Sequence, residues 1–202
     1  MRSRPTAWGR SAMRCMTWVG SIEGICRSGG SCMAHKGLRE PHLLLASSNP
    51  MGLMRNLKGL IDDAQIAQID GSVSLECRRL YELASSHRSF ADQIDPSEWR
   101  QKVSRFYYAA YNCRRAVLLR FDGSFSTDAS DHQKVDQIPD VIANSATFSR
   151  RLKDLREDRN LADYSHTAVE ADLLVSVADA QVIVSEFFEA SKVYLADKGV
   201  FA

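Results

Sequence analysis

The apolar pattern of this chain turns helical at Asn56 and stays helical to about Asp197, with hydrophobic residues recurring every three or four positions. Such a period predicts an all-α fold, because helices with one apolar stripe must cover those stripes with one another. The expected architecture is an up-and-down helical bundle of four to five helices. At 202 residues, 45% of them apolar, the chain can bury one sizeable core and has little room for a second.

Turn and cap signals divide the pattern. Asn56 to Ile69 carries Leu57, Leu60, Ile61, Ala64 and Ile69 and reads as a short helix closed by Asp70-Gly71. Ser74 to Phe90 supplies a second, with Leu75, Leu80, Leu83 and Ala84. Asp95-Pro96-Ser97-Glu98 then offers an N-cap, a proline at the first helical position and a glutamate three residues after the cap. The helix it starts should reach Phe121 with Val103, Phe106, Ala110, Cys113 and Val117 inward, which makes Cys113 a core residue rather than a nucleophile. Asp122-Gly123-Ser124 ends it, a polar loop runs to Ser130, and His132 to Ile138 fits one short turn before Pro139. Asn144 to Asp163 is helical with Phe148, Leu152, Leu155 and Leu161 inward, and its alternating arginines and acids suit a solvated, mutually paired face. Thr167-Ala168-Val169-Glu170 reads as a capping box that opens a last helix ending before Gly199. The bundle is therefore expected over 74–198, with a short accessory helix and linker over 56–73.

Residues 1–55 read differently. Trp8, Trp18, Pro41 and Pro50 lie among scattered Gly and Ser with no sustained period, as in a disordered extension. The Arg-bearing, acid-free residues 1–22 also have the look of a transit peptide, and a true start at Met51 or Met54 is the plainer alternative. Cys26, Cys32 and His35 loosely echo metal ligands, but their spacing matches no zinc pattern; no metal and no cofactor is expected. Five cysteines without a secretory signal argue for a reduced, cytoplasmic setting, and no apolar run approaches the roughly 18 residues that cross a bilayer. The net charge of +1 hides an uneven split, since the first fifty residues hold seven Lys/Arg against two Asp/Glu and the remainder nineteen against twenty-three. A mildly acidic body excludes nucleic-acid binding by bulk charge, so any RNA contact must come from a local arginine site.

One stretch offers such a site. Arg159-Asn160-Leu161-Ala162-Asp163-Tyr164-Ser165-His166 gathers a permanent cation, an amide, a carboxylate, a phenol and an imidazole at a helix junction. Arginine can hold a phosphate bidentately and histidine moves protons near pH 7. With Thr167 as N-cap, His166 would stand at the mouth of the last helix, where free backbone amides favour an anion. In the central helix, Arg105, Tyr107, Tyr108 and Tyr111 either line a groove that stacks RNA bases or pack inside the bundle. His132 either contacts the site of the opposite protomer or is a surface or loop-anchoring residue. Asp163 either acts as an acid in the site or bonds locally at the helix end.

Three stretches together resemble one family. Ser104-Arg105-Phe106-Tyr107-Tyr108-Ala109-Ala110-Tyr111 is similar to the aromatic core of the long second helix of HEPN domains, His132-Gln133-Lys134-Val135 resembles their HxxV segment, and Arg159-Asn160-Leu161-Ala162-Asp163-Tyr164 resembles the RNxADY signature of a bacterial and archaeal branch. The resemblance spans residues 74–197. It implies a metal-independent endoribonuclease, commonly the toxin of a toxin-antitoxin pair whose partner is a minimal nucleotidyltransferase antitoxin, working as a homodimer on RNA. By that likeness Arg159 stabilises the charge on the scissile phosphate, His166 assists attack by the ribose 2′-hydroxyl, and Asn160 orients the phosphate, with Arg105, Tyr108, Tyr164, Asp163 and His132 contacting nucleotide or RNA. In this chain Tyr164 takes the nearer position that the family signature gives to histidine, and His166 stands two residues beyond. A catalytically inert HEPN module, binding nucleotide or pairing with a nucleotidyltransferase, is the alternative implied.

Overall fold

A computed structural model describes residues 49–60, 62–125 and 129–201. Of the expected extension over residues 1–55, residues 1–48, with Cys26, Cys32 and His35, lie outside the described residues. Within them the chain is all-helical: α1 (Pro50–Leu57), α2 (Asp63–Gln93), α3 (Trp99–Phe121), a 3₁₀ turn (Ala129–Lys134), α4 (Ser145–Tyr164), a second 3₁₀ turn (Glu170–Asp172) and α5 (Val177–Asp197). None of these helices is long and apolar enough to cross a membrane.

The central element is α3, which packs against α2, α4 and α5. Its apolar stripe behaves as its spacing dictates, with Val103, Phe106, Ala110, Cys113 and Val117 all fully buried. Burial pushes the Cys113 thiol up to about 12, so it stays protonated and inert. Phe148, Leu152 and Leu155 of α4 are buried as expected, and Phe148 meets Phe187 of α5 with ring centroids 5.3 Å apart. Leu161 is only half-buried.

Several boundaries differ from those predicted, each for a tertiary reason. The two helices expected on either side of Asp70-Gly71 are one, because Ile69, Val73, Cys77 and Leu80 form a continuous buried stripe and Asp70 pairs with Arg120 of α3 at 2.6 Å. A helical glycine costs about 1 kcal/mol against alanine, which that packing outweighs. The helix is capped by Asp62, whose carboxylate accepts from Gln65 N–H while the Gln65 side chain accepts from Asp62 N–H. Asp95 accepts from the Ser97 N–H and hydroxyl in a turn, and α3 begins three residues past the expected proline, at Trp99. Asn49 caps α1 in a stretch read as extension, its side chain accepting from Gly52 N–H. Gly123, which ends α3 at φ 79°, passes so close to α1 that a Cβ there would lie 2.9 Å from the Met51 nitrogen; only glycine fits.

The largest correction concerns the last helix. Thr167 caps nothing: α5 begins ten residues later at Val177, where the Ser176 hydroxyl accepts from Asp179 N–H. Two long-range anchors keep the intervening chain out of the helix. Arg100 of α3 donates to the carbonyls of Ala162 (2.8 Å), Ser165 (2.7 Å) and Ala168 (2.6 Å). The buried Asp158 carboxylate accepts from the N–H groups of Leu174 (2.7 Å) and Val175 (2.9 Å). His166 is consequently not at a helix mouth but exposed in the loop that follows α4.

Candidate functional site

Arg159 lies in the last two turns of α4, where helical spacing turns it toward α3 and the residues four positions on back toward it. Its Nη2 donates to the Tyr108 hydroxyl at 2.7 Å and its Nη1 to the Asn160 side-chain oxygen at 3.2 Å. Its Nε lies 2.8 Å from Asp163 Oδ2, an ion pair whose angle falls short of a hydrogen bond. Three rings surround the guanidinium, with centroids 5.4 Å (Tyr108), 5.5 Å (Tyr164) and 5.7 Å (Tyr107) from its carbon. Cation–π contacts of this kind hold an arginine in place while leaving its donors free to exchange partners. Desolvation alone would lower its pKa; Asp163 and the Tyr108 hydroxyl outweigh that and raise it, so the cation is permanent.

Arg159 borders a groove of about 640 Å³ whose wall includes Tyr107, His132, Arg156, Glu157 and Asn160. Arg156, one turn before Arg159, binds Glu157 at 2.6 Å and donates to the Gln133 carbonyl at 2.7 Å, tying α4 to the first 3₁₀ turn. That tie brings His132 to the groove. The His132 ring stacks on Tyr111 at 4.1 Å and 18°, and its Nδ1 is 2.8 Å from the Tyr107 hydroxyl. Burial lowers its pKa below the usual histidine value, Arg159 and Arg115 add to the effect and Asp131 opposes it, so the ring is neutral at pH 7.

A polar cluster behind the groove holds this ring. Tyr111 donates to Asp131 at 3.1 Å, and Asp131 pairs with Arg114 at 3.7 Å. Arg114 is buried, donating through Nε to the Gln137 carbonyl at 3.1 Å. Burial pushes the Tyr111 phenol up to about 12, with Asp131 adding to it against the pull of Arg115, so it remains a donor.

The structure therefore brings Arg159, Asn160, Asp163, Tyr164, Tyr108 and His132 into one neighbourhood. Two others take no part in these contacts. Arg105 lies over Phe90 at 5.2 Å with its Nη1 3.5 Å from His87 Nδ1, on the α2 side of α3, and His166 has no hydrogen bond or ion pair among the described residues. Tyr107 is almost fully buried and Tyr108 half-buried, so both readings of the aromatic helix hold in part: packing below, groove above. Arg156, Arg100 and the pair Arg114–Asp131 were invisible to spacing, because each acts across a long separation in sequence.

No protein-family model matches the chain, and no curated protein or solved structure is detectably similar to it.

Proposed function

We propose that this protein is a HEPN-like, metal-independent endoribonuclease that binds an RNA phosphodiester at Arg159, with Asn160 beside it and His166 as an acid–base group. The single observation that supports this most is the guanidinium of Arg159, held among three tyrosine rings at the rim of an open groove that it shares with a neutral histidine. A delocalised cation in partly desolvated surroundings suits the charge that builds on phosphoryl oxygens during displacement. Tyr164 is 75% exposed beside it and offers a face on which a base can stack. Exposed and without a hydrogen bond among the described residues, His166 follows Tyr164 by two residues and can meet a ligand. Action as the toxin of a toxin-antitoxin pair, as a cytoplasmic homodimer silenced by a minimal nucleotidyltransferase, belongs to the same reading and rests on the family resemblance.

The Asp163–Arg159 ion pair favours a second reading, an inert module that binds nucleotide or RNA, since a carboxylate at 2.8 Å competes with a phosphate for the same cation. Induced expression with cellular RNA profiling separates them. The enzyme slows growth and cuts RNA in the absence of its partner, and Arg159→Ala abolishes both effects. A wild-type chain that binds RNA but neither slows growth nor cuts RNA leaves only the binding module.

A further inference from the structure

We infer that His132 is the general base of this reaction, taking the ribose 2′-hydroxyl proton at Nε2 from a ring held by Tyr107, so that two imidazoles serve the site rather than one. The inference rests on the ribonuclease reading above.

Displacement at phosphorus brings the attacking oxygen in roughly opposite the leaving oxygen, so one imidazole cannot attend both ends at once. His166 by itself leaves one end unserved. His132 already borders the groove with Arg159, on a different element and held from behind. Its Nδ1 is 2.8 Å from the Tyr107 hydroxyl, and that same hydroxyl donates to the His132 carbonyl at 3.4 Å. With the proton on Nδ1, that nitrogen donates to the Tyr107 oxygen, the Tyr107 O–H donates to the carbonyl, and the lone pair of Nε2 is left for a ligand, which is the tautomer that a base at Nε2 requires. Nε2 has no hydrogen bond among the described residues. The stack on Tyr111 fixes the ring plane and gives the imidazolium an aromatic face once it forms.

The charged groups facing the ring act in the required direction. From α4 comes Arg159, from α3 Arg115 with Tyr107 and Tyr111, and from the 3₁₀ turn Asp131, already engaged by Tyr111 and Arg114. Burial and the two arginines keep the ring unprotonated at pH 7, the form a base needs. The step balances without a co-reactant. The 2′-hydroxyl proton passes to Nε2, O2′ bonds to phosphorus, the P–O5′ bond breaks, and O5′ takes a proton from His166. The products are a 2′,3′-cyclic phosphate and a 5′-hydroxyl.

The test uses the full chain and two RNAs of one sequence, one with an ordinary linkage and one with sulfur replacing the bridging 5′-oxygen, whose thiolate leaves without a proton. His132→Ala and His132→Gln are expected to cleave both RNAs at least about 100-fold more slowly than wild type. They should still bind a 2′-deoxy analogue within about threefold, because phosphate contacts rather than His132 dominate affinity. His166→Ala should be slow on the ordinary RNA and restored on the sulfur one. His132→Gln at near wild-type rate on the ordinary RNA, or slow there and restored by sulfur, overturns the inference. Wild type that cleaves neither RNA overturns the ribonuclease reading and this inference with it. Should the His132 variants lose their helical circular dichroism, Tyr107→Phe takes their place, expected to lower the rate about tenfold and move the acidic limb of the pH–rate profile; an unmoved limb and rate overturn the inference.

Discussion

Arg114 and Arg159 serve adjacent residues of the same 3₁₀ turn under opposite conditions. Arg114 faces Asp131 with its side chain 1% exposed, and Arg159 shares a groove with His132 and is 17% exposed. Arg114 sits between a carboxylate at 3.7 Å and a backbone carbonyl, a buried cation whose Nη1 has no hydrogen bond among the described residues and no solvent to turn to. Arg159 is held by ring faces, a phenol and a carboxylate one turn away, partners that a phosphate can replace. The same residue type is scaffold in one place and a candidate ligand contact in the other, and what separates them is whether the partners can be exchanged.

The largest expected effect tests the scaffold side. Arg114→Ala leaves Asp131 buried without its cation and should lower the unfolding free energy by about 3–5 kcal/mol in urea titration, whereas Arg159→Ala should cost about 1 kcal/mol or less. Equal losses would erase the distinction. Next comes Arg100→Ala, which removes three hydrogen bonds from a charged donor to the end of α4 and the loop after it; a loss of about 1.5–3 kcal/mol is expected, with faster amide exchange around His166. A smaller effect sharpens the ligand side. Asp163→Asn removes the carboxylate that competes for Arg159, and RNA affinity measured by fluorescence anisotropy should rise about two- to fivefold. Unchanged affinity would mean that the pair does not guard the site.

The smallest effect is on pH. His87 and His132 both have folded pKa values pulled below their ordinary value, by burial first and then by neighbouring arginines. The unfolded chain then binds more protons than the folded one, so stability is complete above about pH 6.5 and declines as the pH falls below it. Urea midpoints from pH 7.5 to 5 should follow that slope, and His87→Gln with His132→Gln should flatten it.

Much of the fold was legible because its causes are local. The stripe from Val103 to Val117 and the run Phe148, Leu152, Leu155 show which faces turn inward, and burial follows them. Cap signals were less reliable for a physical reason. Thr167-x-x-Glu170 and Ser176-x-x-Asp179 carry the same local pattern, and the choice between them is made by Arg100 and Asp158, which bond to the loop from elsewhere in the chain. Asp70-Gly71 likewise reads as a stop until Arg120 takes the aspartate. In the candidate site, Arg159, Asn160, Asp163 and Tyr164 were legible as neighbours on one helix. The meeting of His132 with Arg159 within one chain was not, since it depends on a turn docked by Arg156 and by the Arg114–Asp131 pair.

The most direct test of the central claim is the single-turnover cleavage rate of a labelled RNA by the purified full chain, with Arg159→Ala beside wild type and both shown folded by their unfolding curves. The account predicts cleavage by wild type and a loss of about 100-fold or more in the variant, the scale of removing one donor from a developing oxyanion. Equal rates for the two proteins would contradict it.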